Sequence, residues 1–344
     1  MVNDTSMVRI GIVGASGFTG AELLRLAAGH PDLEVVFATG DTQAGTRVAD
    51  LYPSLAAGYP DLIFTPYDAA EAAGVDLVFF GLPHGASQSI VPELVGKVDH
   101  LVDLSADFRL TDPALYPQWY GEAHVAPGLL GDFAYGLPEL FRAEILASAH
   151  VAVPGCYPTA ASLALAPLVR AGAIQTAGVI VDAASGVSGA GRPAKPNTTF
   201  CAVDEDFTAY GLLDHRHTPE IEQVTGASVL FTPHLAPMSR GILTTCYARP
   251  TGATSTAALL DTLRAAYADE PFIVVTDGSP STKATLGSNC AHVTARYDER
   301  TDWVLAIAAI DNITKGASGQ AVQCANLLLG LPETTGLPMV GVYP

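Results

Sequence analysis

Basic residues are scarce in this chain: 17 Lys+Arg stand against 35 Asp+Glu, a formal net charge of −18 over 344 residues. Nucleic-acid binding draws its affinity from counterions that basic side chains release from phosphates, so no nucleic-acid partner is expected. Long apolar runs are missing too. No stretch approaches the roughly 18 residues that mark a membrane helix, and the opening Met1-Val2-Asn3-Asp4 lacks the basic and apolar regions of a secretory signal. A cytoplasmic location with no membrane contact is the expectation. Paired cysteines are absent: Cys156, Cys201, Cys246, Cys290 and Cys324 lie 34 to 45 residues apart, which leaves neither a CxxC pair for zinc or redox work nor an even-numbered disulfide framework. Repeats, low-complexity tracts and charge runs are also lacking. What is abundant is apolar. Hydrophobic residues make up 49% and charged ones 15%, the reverse of a disordered composition, and a chain this long can bury about three quarters of its unfolded surface. Its length suggests about two domains.

Apolar Val8 to Val13, a glycine-rich turn and then Ala21 to Ala27 ending at Gly29 read as strand, tight turn and helix. Leu33 to Ala38, Val75 to Phe80 and His100 to Leu104 are further β-rich runs, separated by helical or turn segments. Strands alternating with helices predict a doubly wound parallel sheet covered on both faces. Residues 111 to 138, rich in Pro, Gly and aromatics, read as an ordered irregular stretch. After Cys156 longer β candidates appear, Val179 to Ala183, Ser228 to Thr232, Ile242 to Ala248, His292 to Tyr297 and Trp303 to Ile310. They predict an α+β domain on a largely antiparallel sheet. A last helix, Lys315 to Leu329, has the length to return to the first domain. The fold class is therefore α/β, with expected boundaries of 1–153, 154–314 and 315–344.

The turn Gly11-Ile-Val-Gly14-Ala-Ser16-Gly17-Phe18-Thr19-Gly20 directly follows a strand and precedes a helix. Glycines there let backbone approach a pyrophosphate at the helix N-terminus, the Rossmann arrangement for a dinucleotide. The second strand ends Ala38-Thr39-Gly40-Asp41-Thr42 with Arg47 beyond. Asp41 could hold a ribose hydroxyl, whereas Thr39, Thr42 and Arg47 could hold a 2′-phosphate, which favours NADP.

Pro154-Gly155-Cys156-Tyr157-Pro158 places a thiol two residues before a proline that can open a helix. A helix N-terminus stabilises thiolate, the nucleophilic form, although cysteine is also a common plain core residue. His215-Arg216-His217-Thr218-Pro219-Glu220 repeats the arrangement, with Thr218 as N-cap and Pro219 as first helical residue. Imidazole beside a helix N-terminus is biased to the neutral form that a general base needs. No third and fourth ligand stand at metal spacing around His-x-His, so no metal is expected. In Leu104-Ser105-Ala106-Asp107-Phe108-Arg109, Arg109 could fork onto a carboxylate or phosphate, or pair with Asp107. Arg192 and Arg240 stand in loop segments. A chain of this net charge must meet an anionic substrate with such local guanidinium groups.

These residues carry a resemblance. Gly14-Ala-Ser-Gly-Phe-Thr-Gly20, Leu82-Pro-His84, Ser105 to Leu110, Tyr135 to Glu139, Pro154 to Thr159, Gly189-Ala-Gly-Arg192, His215 to Glu220, Ser239-Arg-Gly241 and Ala309-Ile-Asp-Asn312 with Lys315-Gly316 together resemble the arginine-pathway branch of the semialdehyde dehydrogenase family. The likeness runs over essentially the whole chain. It implies a Rossmann domain, an α+β catalytic domain, NADPH, a cysteine nucleophile at Cys156, a histidine acid/base at His217, and oligomers, either homodimers or homotetramers. Cofactor contacts are then expected at Gly14, Ser16, Gly17, Phe18, Thr19, Thr39, Arg47, Pro83, Ser188, Gly189 and Asn312. Substrate contacts are expected at Ser105, Arg109, Arg192, His215 and Arg240. The substrate would be a small acyl phosphate, with inorganic phosphate released. Gln323-Cys324-Ala325-Asn326 departs from the family's usual Asn-Met-Asn run, a matter of packing or of cofactor-side detail in the closing helix. Two alternatives are a reductase of the lysine-pathway amino-adipate branch, whose acidic carrier would need a basic docking surface, and a catalytically silent NADP-binding regulator.

Overall fold

The computed structural model describes residues 7–343. In chain order its first elements are β1 (Val8–Val13), α1 (Phe18–Ala28), β2 (Leu33–Ala38), β3 (Leu77–Phe80), α2 (Ser87–Leu94), β4 (His100–Asp103), α3 (Leu115–Tyr120), β5 (Phe133–Tyr135), α4 (Pro138–Ala147) and β6 (His150–Ala152). Then come α5 (Cys156–Arg170), β7 (Val179–Gly186), β8 (Thr208–Ala209), α6 (Thr218–Thr225), β9 (Val229–Ala236), β10 (Ile242–Ala248), α7 (Thr256–Ala266), β11 (Ile273–Val275), β12 (Ala291–Asp298), β13 (Trp303–Ile310) and α8 (Gly319–Leu328). A π-helical turn, Thr314–Ser318, precedes α8.

The chain divides into two compact units. One contains the chain through Pro113, Ala123–Pro154 and Ala317–Leu337; the other contains Ala114–Glu122, Gly155–Gly316 and the chain from Pro338. The first unit holds a six-stranded sheet in the order β2-β1-β3-β4-β6-β5, every pair of it parallel. Its central strand Leu77-Val-Phe-Phe80 is buried at every position, as a strand covered on both faces must be. The second unit's seven strands run β11-β12-β13-β10-β7-β9-β8. They pair antiparallel except at β7–β9 and β11–β12.

One face of this second sheet is covered by α5, α6 and α7. The apolar helix α5, buried from Tyr157 to Leu168, is the centre of that layer. On the other face every second residue stays partly exposed, among them Ile180, Leu243, Tyr247, Leu305 and Ile307, with Leu230 50% exposed. Alternation of this kind marks a sheet with one face uncovered by its own chain.

Several expectations change. Residues 111–138 are ordered but not irregular: they contain α3 and β5, and β5 extends the parallel sheet. The division of the chain is also finer than the expected one. Segment 114–122 joins the second unit, where the Arg216 guanidinium lies 5.6 Å from the Tyr120 ring centre. The chain from Pro338 joins it too, because Asn289 N–H donates to Pro338 O and Val342 N–H to Leu286 O. Helix α8 packs on α4, α1 and β4 of the first unit. There Gln320 donates to Gly136 O, Gln323 donates to both Glu139 and Glu333, and the Cys324 thiol points at Gly136 O. The unusual cysteine is thus a buried packing residue.

Candidate active site

In the first unit the glycine turn fits its expected task. Gly14 has φ +83°, and a Cβ there would lie 2.6 Å from Gly81 O; a Cβ at Gly20 would lie 2.4 Å from Ala15 Cα. These two glycines are required by packing. Gly17 is different: a Cβ there would meet only Gly14 O, at 3.7 Å, so nothing in the protein demands glycine. It is the N-cap of α1 and has no side-chain cap, so the first N–H groups of the helix receive no acceptor from a capping side chain. Phe18 and Thr19 start the helix beside this cradle, and Ser16 is tied to Tyr52, whose hydroxyl donates to Ser16 O. A diphosphate fits the cradle that a Cβ would narrow. Pro83 is exposed in the loop after β3, on the same carboxyl edge of the sheet.

Thr39 does not face outwards. It is buried, and its hydroxyl accepts the Gly14 N–H at 3.0 Å, so it supports the turn from beneath. Arg47 forms a bidentate pair with Asp50 at 3.0 and 2.8 Å, both partners about half exposed. Such a surface pair is weak enough to yield to a phosphate.

Behind the end of β4 lies a buried polar network. Ser105 Oγ donates to Asp103 at 2.6 Å and accepts the Asp107 N–H, while Ser87 donates to Asp103 from the other side. Burial pushes the Asp103 carboxyl up to about 6 against these hydrogen bonds. Asp107 is buried as well, but a 2.6 Å contact with His84 Nδ1 and N–H donors from Gly85 and Gln88 outweigh its desolvation and hold it below the usual range. Ser105 therefore organises the loop. Arg109 Nε donates to Val153 O at 2.7 Å and its Nη2 to Leu104 O at 2.8 Å, so it joins the ends of β4 and β6.

In the second unit Cys156 is the first residue of α5, two positions earlier in the helix than Pro158 had suggested, with Gly155 as an extended N-cap that lacks a side-chain cap. The thiol stands at the positive end of a 15-residue helix. His217 is itself the N-cap of α6, one residue before the expected Thr218. Its imidazole lies against Gly155: a Cβ on that glycine would fall 2.4 Å from His217 Nε2. Only glycine lets the ring approach the residue that precedes the thiol. Gly155 N–H donates to Glu220 Oε1 at 2.8 Å, and Glu220, fully buried, lies three residues after His217 in α6. Glu220 was not anticipated, although the i, i+3 spacing places it on the face of His217.

Cys156 is closed in from another side by the π-helical turn, where a Cβ on Gly316 would lie 2.9 Å from Cys156 Cβ. Asp311 builds that turn by accepting from Ile313 and Thr314 N–H groups, and the same carboxylate takes Arg240 Nε at 3.1 Å and Nη2 at 2.9 Å. Asn312 is buried, accepts Gly241 N–H and donates to Ser188 Oγ, bolting the Ser188-Gly189 turn to the Arg240 turn. Arg192 differs from the other arginine candidates in that its buried Nε has no hydrogen-bond partner, which leaves it suited to an anion. Around His215 stand Tyr157, Tyr210, Phe231 and His217, a set the sequence did not disclose.

Known proteins match this arrangement over both units. Residues 9–148 match the family model described as semialdehyde dehydrogenase, NAD binding domain, and residues 156–312 match semialdehyde dehydrogenase, dimerisation domain. The chain belongs to the semialdehyde dehydrogenase family. Among its relatives, N-acetyl-gamma-glutamyl-phosphate reductase of Symbiobacterium thermophilum is 48% identical over 98% of this chain and 99% of the relative. The protein of that name from Geobacter sulfurreducens is 46% identical over 98% of this chain and 100% of its own. Solved structures share the fold at lower identity. Aspartate semialdehyde dehydrogenase II of Vibrio cholerae, complexed with ASA, superposes with a TM-score of 0.71 at 16% identity, covering 94% of this chain and 99% of that one. The Candida albicans aspartate semialdehyde dehydrogenase with NADP gives 0.70 at 14% identity over the same shares. Among the described residues no helix is long and apolar enough to cross a membrane.

Proposed function

We propose that this chain reduces N-acetyl-gamma-glutamyl phosphate to N-acetylglutamate 5-semialdehyde with NADPH, releasing inorganic phosphate, as a step of arginine biosynthesis. The observation that carries the reading is the thiol at the start of α5 with the His217 imidazole seated on Gly155 beside it. His217 takes the thiol proton, and the helix N-terminus favours the resulting thiolate. Cys156 Sγ attacks the acyl carbon; the carbon–oxygen bond to phosphate breaks, the electron pair leaves with phosphate, and a thioester remains. Bound NADPH supplies the hydride that reduces this thioester. First-turn N–H groups of α5 stabilise the hemithioacetal oxyanion, the carbon–sulfur bond then breaks, and the aldehyde departs as Cys156 returns to thiolate. Arg192 and the Asp311-held Arg240 are the groups that meet the substrate's carboxylate and phosphate.

The uncovered face of the second sheet, in a segment that matches a dimerisation domain, supports assembly with further copies of the chain. The five cysteines are free thiols, the state kept in a reducing cytoplasm, and that is the compartment we assign. The decisive experiment is the reverse reaction: NADP⁺ reduction by N-acetylglutamate semialdehyde, dependent on phosphate or arsenate, run beside the one-carbon-longer analogue. Preference for the longer aldehyde, or reduction independent of phosphate, would overturn the assignment.

A further inference from the structure

We propose that His215 is a positioning residue for this reaction, whose Nδ1 holds the backbone of His217 in place while its ring stays uncharged. The inference rests on the reading of Cys156 and His217 as the catalytic pair. His217 N–H donates to His215 Nδ1 at 3.2 Å. An accepting ring nitrogen carries no hydrogen, so the proton of the neutral ring sits on Nε2.

The surroundings hold that state. Four rings meet His215 near edge-to-face: Tyr157 from α5 at 5.8 Å, Tyr210 from the loop after β8 at 5.5 Å, Phe231 from β9 at 5.2 Å and His217 at 4.8 Å. The Tyr157 hydroxyl donates to His234 O, and the Tyr210 hydroxyl donates to Tyr157. The box is thus closed by its own hydrogen bonds. Gly211, at φ +55°, turns the loop so closely that a Cβ there would lie 3.0 Å from His215 Cδ2. The charged or titratable neighbours are Asp214 and Arg216 on either side in the chain, His217, Tyr157 and Tyr210. Burial lowers the imidazole to about 4, Arg216 adds to the effect and Asp214 opposes it. A cation here would lose the acceptor that His217 uses and stand among aromatic walls.

The bond from Nδ1 to the N–H two residues on has the geometry of an Asx-turn, which an asparagine side chain makes with its Oδ1. Asparagine can therefore replace the function of the ring, whereas glutamine, one carbon longer, misplaces the acceptor. A substrate-binding role makes no such distinction. In the phosphate-dependent NADP⁺ assay, H215A and H215Q should lose kcat by about 10- to 100-fold, the scale of a small misplacement of a reacting group, with KM for the semialdehyde little changed. H215N should recover most of the rate. Equal impairment of H215N and H215A at equal melting temperature, or a rise confined to KM, overturns the proposal. Failure of the wild-type chain to turn over would instead overturn the proposed function. The second measurement does not use activity: in ¹⁵N-histidine-labelled wild-type protein, the resonances lost in H215N should report an Nε2–H tautomer from about pH 8 down to about pH 5. A His215 ring that titrates near the ordinary value, or carries its proton on Nδ1, refutes the inference even if the alanine variant does not fold.

Discussion

Helices α1 and α5 begin alike and are used in opposite ways. Both have an extended glycine N-cap, Gly17 with φ −81° and ψ 171° and Gly155 with φ −65° and ψ 153°, and neither cap supplies a side-chain hydrogen bond. Neither helix thus has its positive end closed by a capping side chain. At α1 the space before the cap is open and suits an anion that arrives with the cofactor. At α5 the space before the cap is filled by His217, and in the proposed mechanism the anion is made in place by removing a proton from Cys156. In the proposed reading the same backbone device serves binding in one unit and nucleophile activation in the other, and the neighbour of the glycine decides which.

The largest effect should come from Cys156→Ser, which removes the anion of α5 and leaves α1 untouched. Turnover should vanish while NADPH titration by fluorescence stays near wild type, and serine-variant activity above contamination would break the distinction. Substrate should also protect Cys156 from alkylation but not the exposed Cys201. His217→Asn keeps approximate size and removes proton transfer, so kcat should fall about 10²- to 10⁴-fold and one limb of the pH–rate profile should disappear.

Alanine at the two caps sharpens the contrast. Gly155→Ala must displace His217 and should lower kcat by about 10²-fold, with NADPH affinity retained. Gly17→Ala meets no protein atom closer than 3.7 Å and should keep its melting temperature while NADPH affinity drops. Reversal of the two phenotypes would show that both caps serve packing. A smaller effect is expected at Arg47→Ala: loss of a charge-assisted contact worth about 1.5 to 3 kcal/mol should cut the preference for NADPH over NADH roughly tenfold or more. Equal kcat/KM for both cofactors in the unaltered chain would give the ribose to Asp41.

The smallest effect is on stability. His215 binds its proton less tightly when folded than when unfolded, so the unfolded state takes up more protons between the ordinary imidazole value and about 4. Stability should fall as pH is lowered through that window, and His215→Asn should flatten the slope in urea titrations.

The parts of this molecule legible in the sequence are those with a repeating apolar pattern or a backbone constraint. Strands β1 to β4 and the glycine turn announced themselves, as did Cys156 and His217 through the prolines just after them. β5 and β6, three residues each, are too short to show a period. The polar residues were the weak point. Thr39, Ser105, Arg109 and Asn312 have the chemistry of ligand contacts, and each also makes a hydrogen bond that holds a loop or strand end, which no sequence pattern announces. Sequence shows which atoms can donate or accept; only the fold shows where those bonds are made. Glu220 was passed over for the opposite reason, because nothing in sequence placed the Gly155 N–H within its reach.

Each unit is assembled from three separate stretches of chain, and this has a consequence for synthesis. When a ribosome has released residues up to Pro154, the first unit still lacks α8, so Gly136 O and Glu139 lack the donors that Gln320 and Gln323 bring. The nucleotide-binding sheet thus gains part of its packing only once α8 has been made. When large chains fold from the N-terminus, domain by domain, the first unit of this one stays without these donors until α8 has been synthesised.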